Sequence, residues 1–419
     1  MLTRYLAAAL TALVPLALRA QEAAAPAQPG PLTVAEASGY ERTASHEQVV
    51  AFLDELAAAS DLVRLDSLGT TNEGRSIPLA IIADPPVATP EEARKSKKLV
   101  VLLFGNIHAG EVCGKEALLM LARELALGDE RDLLQNLIVA VAPNYNPDGN
   151  EKFGPDNRPG QVGPEEMGVR PNAQGFDLNR DWVKLEAPET RGFVRFMNQW
   201  DPAVIVDTHT TNGSLHQYTI TYQGPKHPAG DQQIIEFVRD TMLPAITADL
   251  DERTNYKTFF YGNFADDHTK WTTYPATPRY GTPYRGVRNR LAILSEAYAY
   301  ASFEDRVLGT LEFCRSILHY SAEHRKRIAE LIEAADTRTA EASASDEIPL
   351  RVRAEAFDKK VTVLGYEESR DDDGQRIKGE PKAYEVDLIN NFVPTLTVTR
   401  PAAYLYPARL EQVTENLLH

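Results

Sequence analysis

The sequence has 419 residues, 43% of them hydrophobic, 8% aromatic and 25% charged, which suits a chain that buries a core and excludes collagen-like and disordered polypeptides. Sixty acidic residues against 44 basic ones leave a formal charge of −16, a field that repels nucleic-acid phosphates and anionic membrane surfaces, so no nucleic-acid partner is expected. Cys113 and Cys314, the only two cysteines, cannot supply a disulfide framework or a paired redox or metal motif, and are expected to be free, inert thiols.

Residues 1–20 (MLTRYLAAALTALVPLALRA) place a positive residue, Arg4, before an apolar stretch from Leu6 to Leu18 and end on the small residue Ala20. This is the pattern of a secretory signal peptide, cleaved after Ala20 or at the second small-residue site, Ala23 to Ala25. A secreted or periplasmic protein is therefore expected, with no membrane span in the mature chain, because no later segment approaches the ~20 apolar residues that crossing requires. Residues 21–39 read as a flexible Ala/Pro-rich leader.

From residue 40 the pattern becomes that of a large domain. Val49, Phe52, Leu53 and Leu56 recur at helical spacing in Ser45–Ala58, with Ser45 as the cap. Apolar runs of strand length follow at Leu99–Phe104, Leu137–Val141, Ala203–Val206 and Leu291–Leu294, alternating with helical stretches such as Val112–Leu127, Ile234–Leu250 and Val307–Ile332. Continuously apolar strands interleaved with helices predict an α/β fold with a mostly parallel sheet covered on both faces, over residues 40–335. Residues 336–347 (DTRTAEASASDE) read as a polar linker, and residues 348–419 as a small β-rich appendage with an acidic turn at Asp371–Gly374 and a final helical stretch, Ala408–Leu418.

Three of the apolar strands end on chemistry-bearing residues. Leu99–Phe104 runs into His108 and Glu111, Ala203–Val206 into Asp207 and His209, and Leu291–Leu294 into Ser295 and Glu296. Ligands bind outside the carboxyl ends of strands in open α/β sheets, so these termini can share one crevice. His108 and Glu111, three apart where a loop turns into a helix, suit zinc ligation. Alone the pair means little, because about one His-x-x-acid match is expected by chance in a chain this acidic. The bland reading, in which Glu111 merely complements a helix dipole, loses ground once His209 and Glu296 stand at matching strand ends. Two histidines and a glutamate leave a fourth zinc position for water, and Glu296 is then placed to act as general base. In the segment Gly175–Trp182, Arg180 can fork onto a free carboxylate with Asn179 beside it, and Asp177 can orient a ligating histidine, most plausibly His108.

Taken together, His108-Ala-Gly-Glu111, Asn146-Pro-Asp-Gly149, Gly175-Phe-Asp-Leu-Asn-Arg180, Asp207-Thr-His209 and Ser295-Glu296 occur in an order that resembles the zinc metallocarboxypeptidase family over roughly residues 40–330. Gly69 to Ile81 also resembles the glycine-bearing strand pair that opens such domains. The resemblance implies a twisted mixed sheet with helices on both faces, one Zn2+ held by His108, Glu111 and His209, and Glu296 as general base. It also implies Asn179 and Arg180 on the terminal carboxylate of a peptide or protein substrate with a free C-terminus. An arginine that polarises the scissile carbonyl is expected at Arg170, with Arg158 the competitor, and a tyrosine that closes over the substrate at Tyr274, with Tyr280 and Tyr284 competing. Asp181, where the family usually has asparagine, and the ending Ser295-Glu296-Ala297-Tyr298 bear on substrate preference more than on the metal.

Two other readings of these residues stay open: a zinc-dependent amidase or deacylase acting on N-acyl amino acids or cell-wall peptides, and a catalytically inactive peptide-binding protein on the same scaffold. Arg279, Arg285, Arg288 and Arg290 hint at a preference for acidic side chains, or at charge balance on an acidic surface. A serine-hydrolase elbow is excluded by the lack of Gly-x-Ser-x-Gly, and a phosphate loop by Ala109 and Glu116 around Gly114-Lys115.

Overall fold

The computed structural model describes residues 30–371 and 376–418, so the expected signal peptide lies outside the described residues. The described strands are β1 (Val63–Thr70), β2 (Ser76–Ile82), β3 (Leu99–Gly105), β4 (Leu137–Ala142), β5 (Val204–Thr211), β6 (Ile220–Gln223), β7 (Thr258–Phe260), β8 (Asn263–Phe264), β9 (Lys270–Thr272), β10 (Leu291–Tyr298), β11 (Glu347–Ala356), β12 (Val361–Arg370) and β13 (Arg376–Thr399). Eight of them form the main sheet in the order β1-β2-β4-β3-β5-β10-β6-β7. Its centre, β4-β3-β5-β10, is parallel, while β1, β2 and β6 join antiparallel, so the sheet is mixed and mostly parallel at its core.

The continuous apolar runs follow from burial on both faces. Every residue of β3 and β4 is buried, and their side chains alternate between two separate cores. Val101, Leu103, Val139 and Val141 face one core together with helices Cys113–Leu127 and Phe303–Glu323; Val100, Leu102, Phe104 and Ile138 face the other, with helix Pro188–Trp200. Each fully buried Val or Leu contributes about 1.5–3 kcal/mol, which anchors the strand ends that carry the site. Both cysteines lie in the first core and are free, and burial pushes the Cys314 thiol up to about 12.

Some boundaries differ from the sequence reading. Within the stretch read as leader, Val34–Ala37 forms a short helix closed by a Thr33/Glu36 capping box, and Glu36 pairs with the buried Arg123 at 2.6 Å. The long helical stretch from Val307 divides at His324 into Phe303–Glu323 and Arg325–Ala340, and the second helix continues into the residues read as linker. The C-terminal region is β-rich, but it does not stand apart. β13 pairs with β12 along its first half and β11 along its second, and takes up β9 of the preceding domain at Asp387–Ile389. Trp271 and Tyr218 pack with Val363, Val386 and Leu388 across that junction. Most of the acidic turn at Asp371–Gly374 lies outside the described residues. Among the described residues no helix is long and apolar enough to cross a membrane.

Candidate metal and substrate site

The loop after β3 is held by its own buried amides. Asn106 adopts a left-handed backbone (φ 63), and its side chain donates to Asn144 Oδ1 at 2.8 Å and Asn150 Oδ1 at 2.9 Å, so the conformation is stabilised without glycine. The following helix begins hard against β5: a Cβ at Gly114 would stand 2.0 Å from Thr208 Oγ1. That close approach brings Glu111, just before the helix, to His209 on β5. On the other side of β5, β10 sets Glu296 in register with His209.

His108, Glu111 and His209 are all buried, and their ligand atoms lie within 4.8 Å of one another. His108 Nδ1 is 3.1 Å from Glu111 Oε1, and His209 Nδ1 is 2.8 Å from Glu111 Oε2. Each imidazole is backed by a carboxylate at its other nitrogen: His108 Nε2 is 3.0 Å from Asp177 Oδ1 and His209 Nε2 is 2.9 Å from Asp207 Oδ1. The Asp177 carboxylate at Nε2 fixes the His108 tautomer whose Nδ1 lone pair faces the shared point, as a zinc-binding imidazole requires, and the Asp207 charge favours a proton on His209 Nε2 without an aligned hydrogen bond. Two imidazole nitrogens and a carboxylate are also a zinc-type donor set. The residues present therefore fit the metal.

The electrostatics favour a cation there. Burial disfavours the charge of Glu111, but His108, Arg158 and the hydrogen bonds to both imidazoles hold its carboxyl well below the usual range. Burial likewise disfavours a charged His209, yet Asp207 and Glu111 outweigh it and raise its pKa. Glu296 behaves oppositely. Burial pushes it up to about 8, outweighing His209 and Arg158, with Glu111 and Asp207 adding to the rise. Surroundings that raise its proton affinity suit a group that takes up a proton.

The remaining candidates surround the same cavity of about 380 Å³. Asp177 caps a short turn, accepting from Asn179 N at 2.9 Å, which aims Asn179 and Arg180 inward. Asn179 Oδ1 accepts from Gly281 N at 2.9 Å, while its Nδ2 lies 3.3 Å from His209 Nε2. The Arg180 guanidinium lies 3.9 Å over the Tyr280 ring, with Nη1 donating to Asn179 O at 2.7 Å. Both candidate arginines reach the cluster: Arg158 Nη2 is 3.1 Å from Glu111 Oε1, and Arg170 Nη1 is 3.6 Å from the same oxygen. Arg170 also forks onto Asp177 Oδ2 at 3.0 and 2.9 Å. Tyr274 and Tyr280 line the cavity; Tyr284 is instead buried in the core beside Trp182.

The four arginines read as a specificity hint do not line this cavity. Arg288 donates to Asn198 and Arg290 to Asp201 and Asp336, away from the cleft. Arg285 is fully buried and binds Asp207, so it supports His209 from behind. In sequence, Asp207 stands out only as a strand-end acid and Arg285 only as one of the four specificity arginines, while Tyr261, which also lines the cavity, does not stand out at all. Asp207 was within reach, since two residues before His209 on a strand is the same face. Nothing in the sequence marks Arg285 as buried.

Residues 49–282 match the zinc carboxypeptidase family model, and the chain belongs to that family. The matched segment contains His108, Glu111, Asn179, Arg180 and His209 but ends before Glu296, whose place rests on the register of β10. The chain is 27% identical over 184 residues to carboxypeptidase 2 of Trichophyton rubrum, covering 43% of this chain and 31% of that one. It is 29% identical over 219 residues to carboxypeptidase D of Homo sapiens, covering 44% and 15%. The chain thus spans less than a third of the length of these curated relatives. A solved structure from Shewanella denitrificans shares the fold, with a TM-score of 0.50 and 19% identity over 68% of this chain and 69% of that one.

Proposed function

We propose that this protein is a secreted or periplasmic zinc-dependent metallocarboxypeptidase that removes C-terminal residues from peptides. The reading is carried by one observation: the Nδ1 atoms of His108 and His209 converge on Glu111 within the cavity that also holds Glu296, Asn179 and Arg180. Its location follows from the signal-like residues 1–20.

In this reading His108, Glu111 and His209 hold one zinc ion, with Asp177 and Asp207 orienting the two imidazoles. Zinc bound there supplies Lewis acidity, making a water acidic and offsetting charge on the scissile carbonyl. Glu296 takes the proton of the attacking water and passes it to the leaving amine. Arg180 and Asn179 grip the substrate's terminal carboxylate, which fixes the bond to be cut as the last one; an internal peptide bond offers no carboxylate to hold. Arg170, with Arg158 beside it, stabilises the oxyanion, and Tyr274 covers the bound residue.

The test is a panel of peptides with free or amidated C-termini, incubated with and without a zinc chelator. Chelator-sensitive release of single C-terminal amino acids from the free peptides alone is expected. Cleavage of amidated peptides at equal rates, or release of acyl groups from N-acyl amino acids only, would overturn the carboxypeptidase reading.

A further inference from the structure

Lys226 is an anomaly that the proposed chemistry does not use. It follows β6, is 6% exposed, and has no carboxylate within ion-pair distance among the described residues. Burial alone holds its amine well below the usual lysine range. Its polar contacts converge on one short segment: Nζ donates to Tyr274 O at 2.7 Å and to Thr273 Oγ1 at 3.2 Å, and lies 3.1 Å over the centroid of the Tyr274 ring. The Phe392 ring of β13 stands 5.2 Å from the same nitrogen.

An amine buried without a counter-ion costs stability, and an apolar side chain of equal length would fill the space more cheaply. What the lysine provides is direction. Tyr274 sits two residues beyond β9, in a segment that leaves the C-terminal sheet, where Thr273 N donates to Ile389 O at 3.3 Å, and enters the cavity wall. One group that binds both the carbonyl and the ring face of the same tyrosine helps set where that ring points, together with Thr282 at its hydroxyl and the Tyr261 and Tyr280 rings beside it.

We propose that Lys226 is a positioning residue for Tyr274, clamped between the Tyr274 and Phe392 rings, and that through it the C-terminal β-rich region sets the shape of the cleft. The kinetic part of this inference rests on the proposed carboxypeptidase reading; the positioning itself does not.

Full-length Lys226→Met and Phe392→Leu are compared with the parent by nitration with tetranitromethane, with modification at Tyr274 quantified by mass spectrometry and the exposed Tyr404 as internal reference. The expected result is nitration of Tyr274 up to about tenfold faster in Lys226→Met, the order expected for losing one buried hydrogen bond that holds the residue, with a smaller rise in Phe392→Leu and none at Tyr404. Lys226→Met should melt no lower than the parent, and its peptide KM should rise several-fold more than its kcat falls, a split that a general loss of structure does not produce. Unchanged Tyr274 reactivity in both folded variants overturns the positioning role, and Phe392→Leu decides it if Lys226→Met does not fold. A chain without peptidase activity whose Tyr274 still becomes reactive retains this inference and loses the functional one; an active chain with unaltered Tyr274 does the reverse.

Discussion

Arg285 and Asp207 form an ion pair, Nη2 to Oδ2 at 2.8 Å, in which neither side chain has any solvent exposure. The guanidinium lies against Trp182 and Phe104, at 4.8 and 5.0 Å from their ring centroids, while the other carboxylate oxygen faces His209. A buried pair of this kind adds little net stability, but breaking it strands a charge. Arg285→Met should therefore cost about 3–5 kcal/mol in urea unfolding. Asp207→Asn should weaken zinc binding by roughly 10–100-fold in competition with a chromophoric chelator. A parent-like zinc affinity in Asp207→Asn would show that Asp207 does not orient His209.

Glu296→Gln should keep stoichiometric zinc yet lose roughly 10²–10⁴ in kcat, the range ascribed to general acid–base catalysis. Metal analysis beside steady-state kinetics checks both halves. A variant with parent-like kcat removes Glu296 from the mechanism.

Arg180→Met should abolish discrimination between free and amidated C-termini, worth about 1.5–3 kcal/mol, or roughly tenfold to over a hundredfold in kcat/KM. Retained discrimination would place carboxylate recognition elsewhere on the cavity wall.

Gly114→Ala sets a methyl 2.0 Å from Thr208 Oγ1 and 2.7 Å from its Cβ, at a helix start packed against β5. A loss of about 1–3 kcal/mol is expected, as for other overpacked cores, together with weaker zinc binding because Thr208 adjoins His209. Differential scanning calorimetry and the chelator competition read the two effects, and an unshifted melting temperature would mean the helix can move.

His319, half exposed, pairs with Glu130 at 2.8 Å; that hydrogen bond raises its pKa in the fold, against partial burial. A raised pKa contributes stability below the unfolded value of about 6.5 and loses it as pH climbs through the folded value. In urea unfolding, His319→Gln should therefore destabilise the fold at pH 6 but not at pH 9, by about 0.5 kcal/mol because the pair is solvent-screened. Equal losses at both pH values would contradict this.

The central strands were legible because burial on both faces leaves continuous apolar runs, as in Leu99–Phe104 and Leu137–Val141, and the residues at their carboxyl ends meet in one cavity. Depth was not legible. Arg285 looks in sequence like its neighbours Arg288 and Arg290, yet it is wholly enclosed while they face outward partners. Charge is written in the sequence; the distance from solvent is set by packing. The Val34–Ala37 helix was missed for another reason: Thr33 and Glu36 spell a capping box, but four residues inside an Ala/Pro-rich stretch carry no periodicity.

Because β9 hydrogen-bonds to β13, the chain has no clean seam between its large and small parts. Cutting after Ala340 would strip Lys270–Thr272 of its β13 neighbour, leaving only β8, and bare part of Trp271, so grafting the large part onto another scaffold would have to carry β11 to β13 along as cargo.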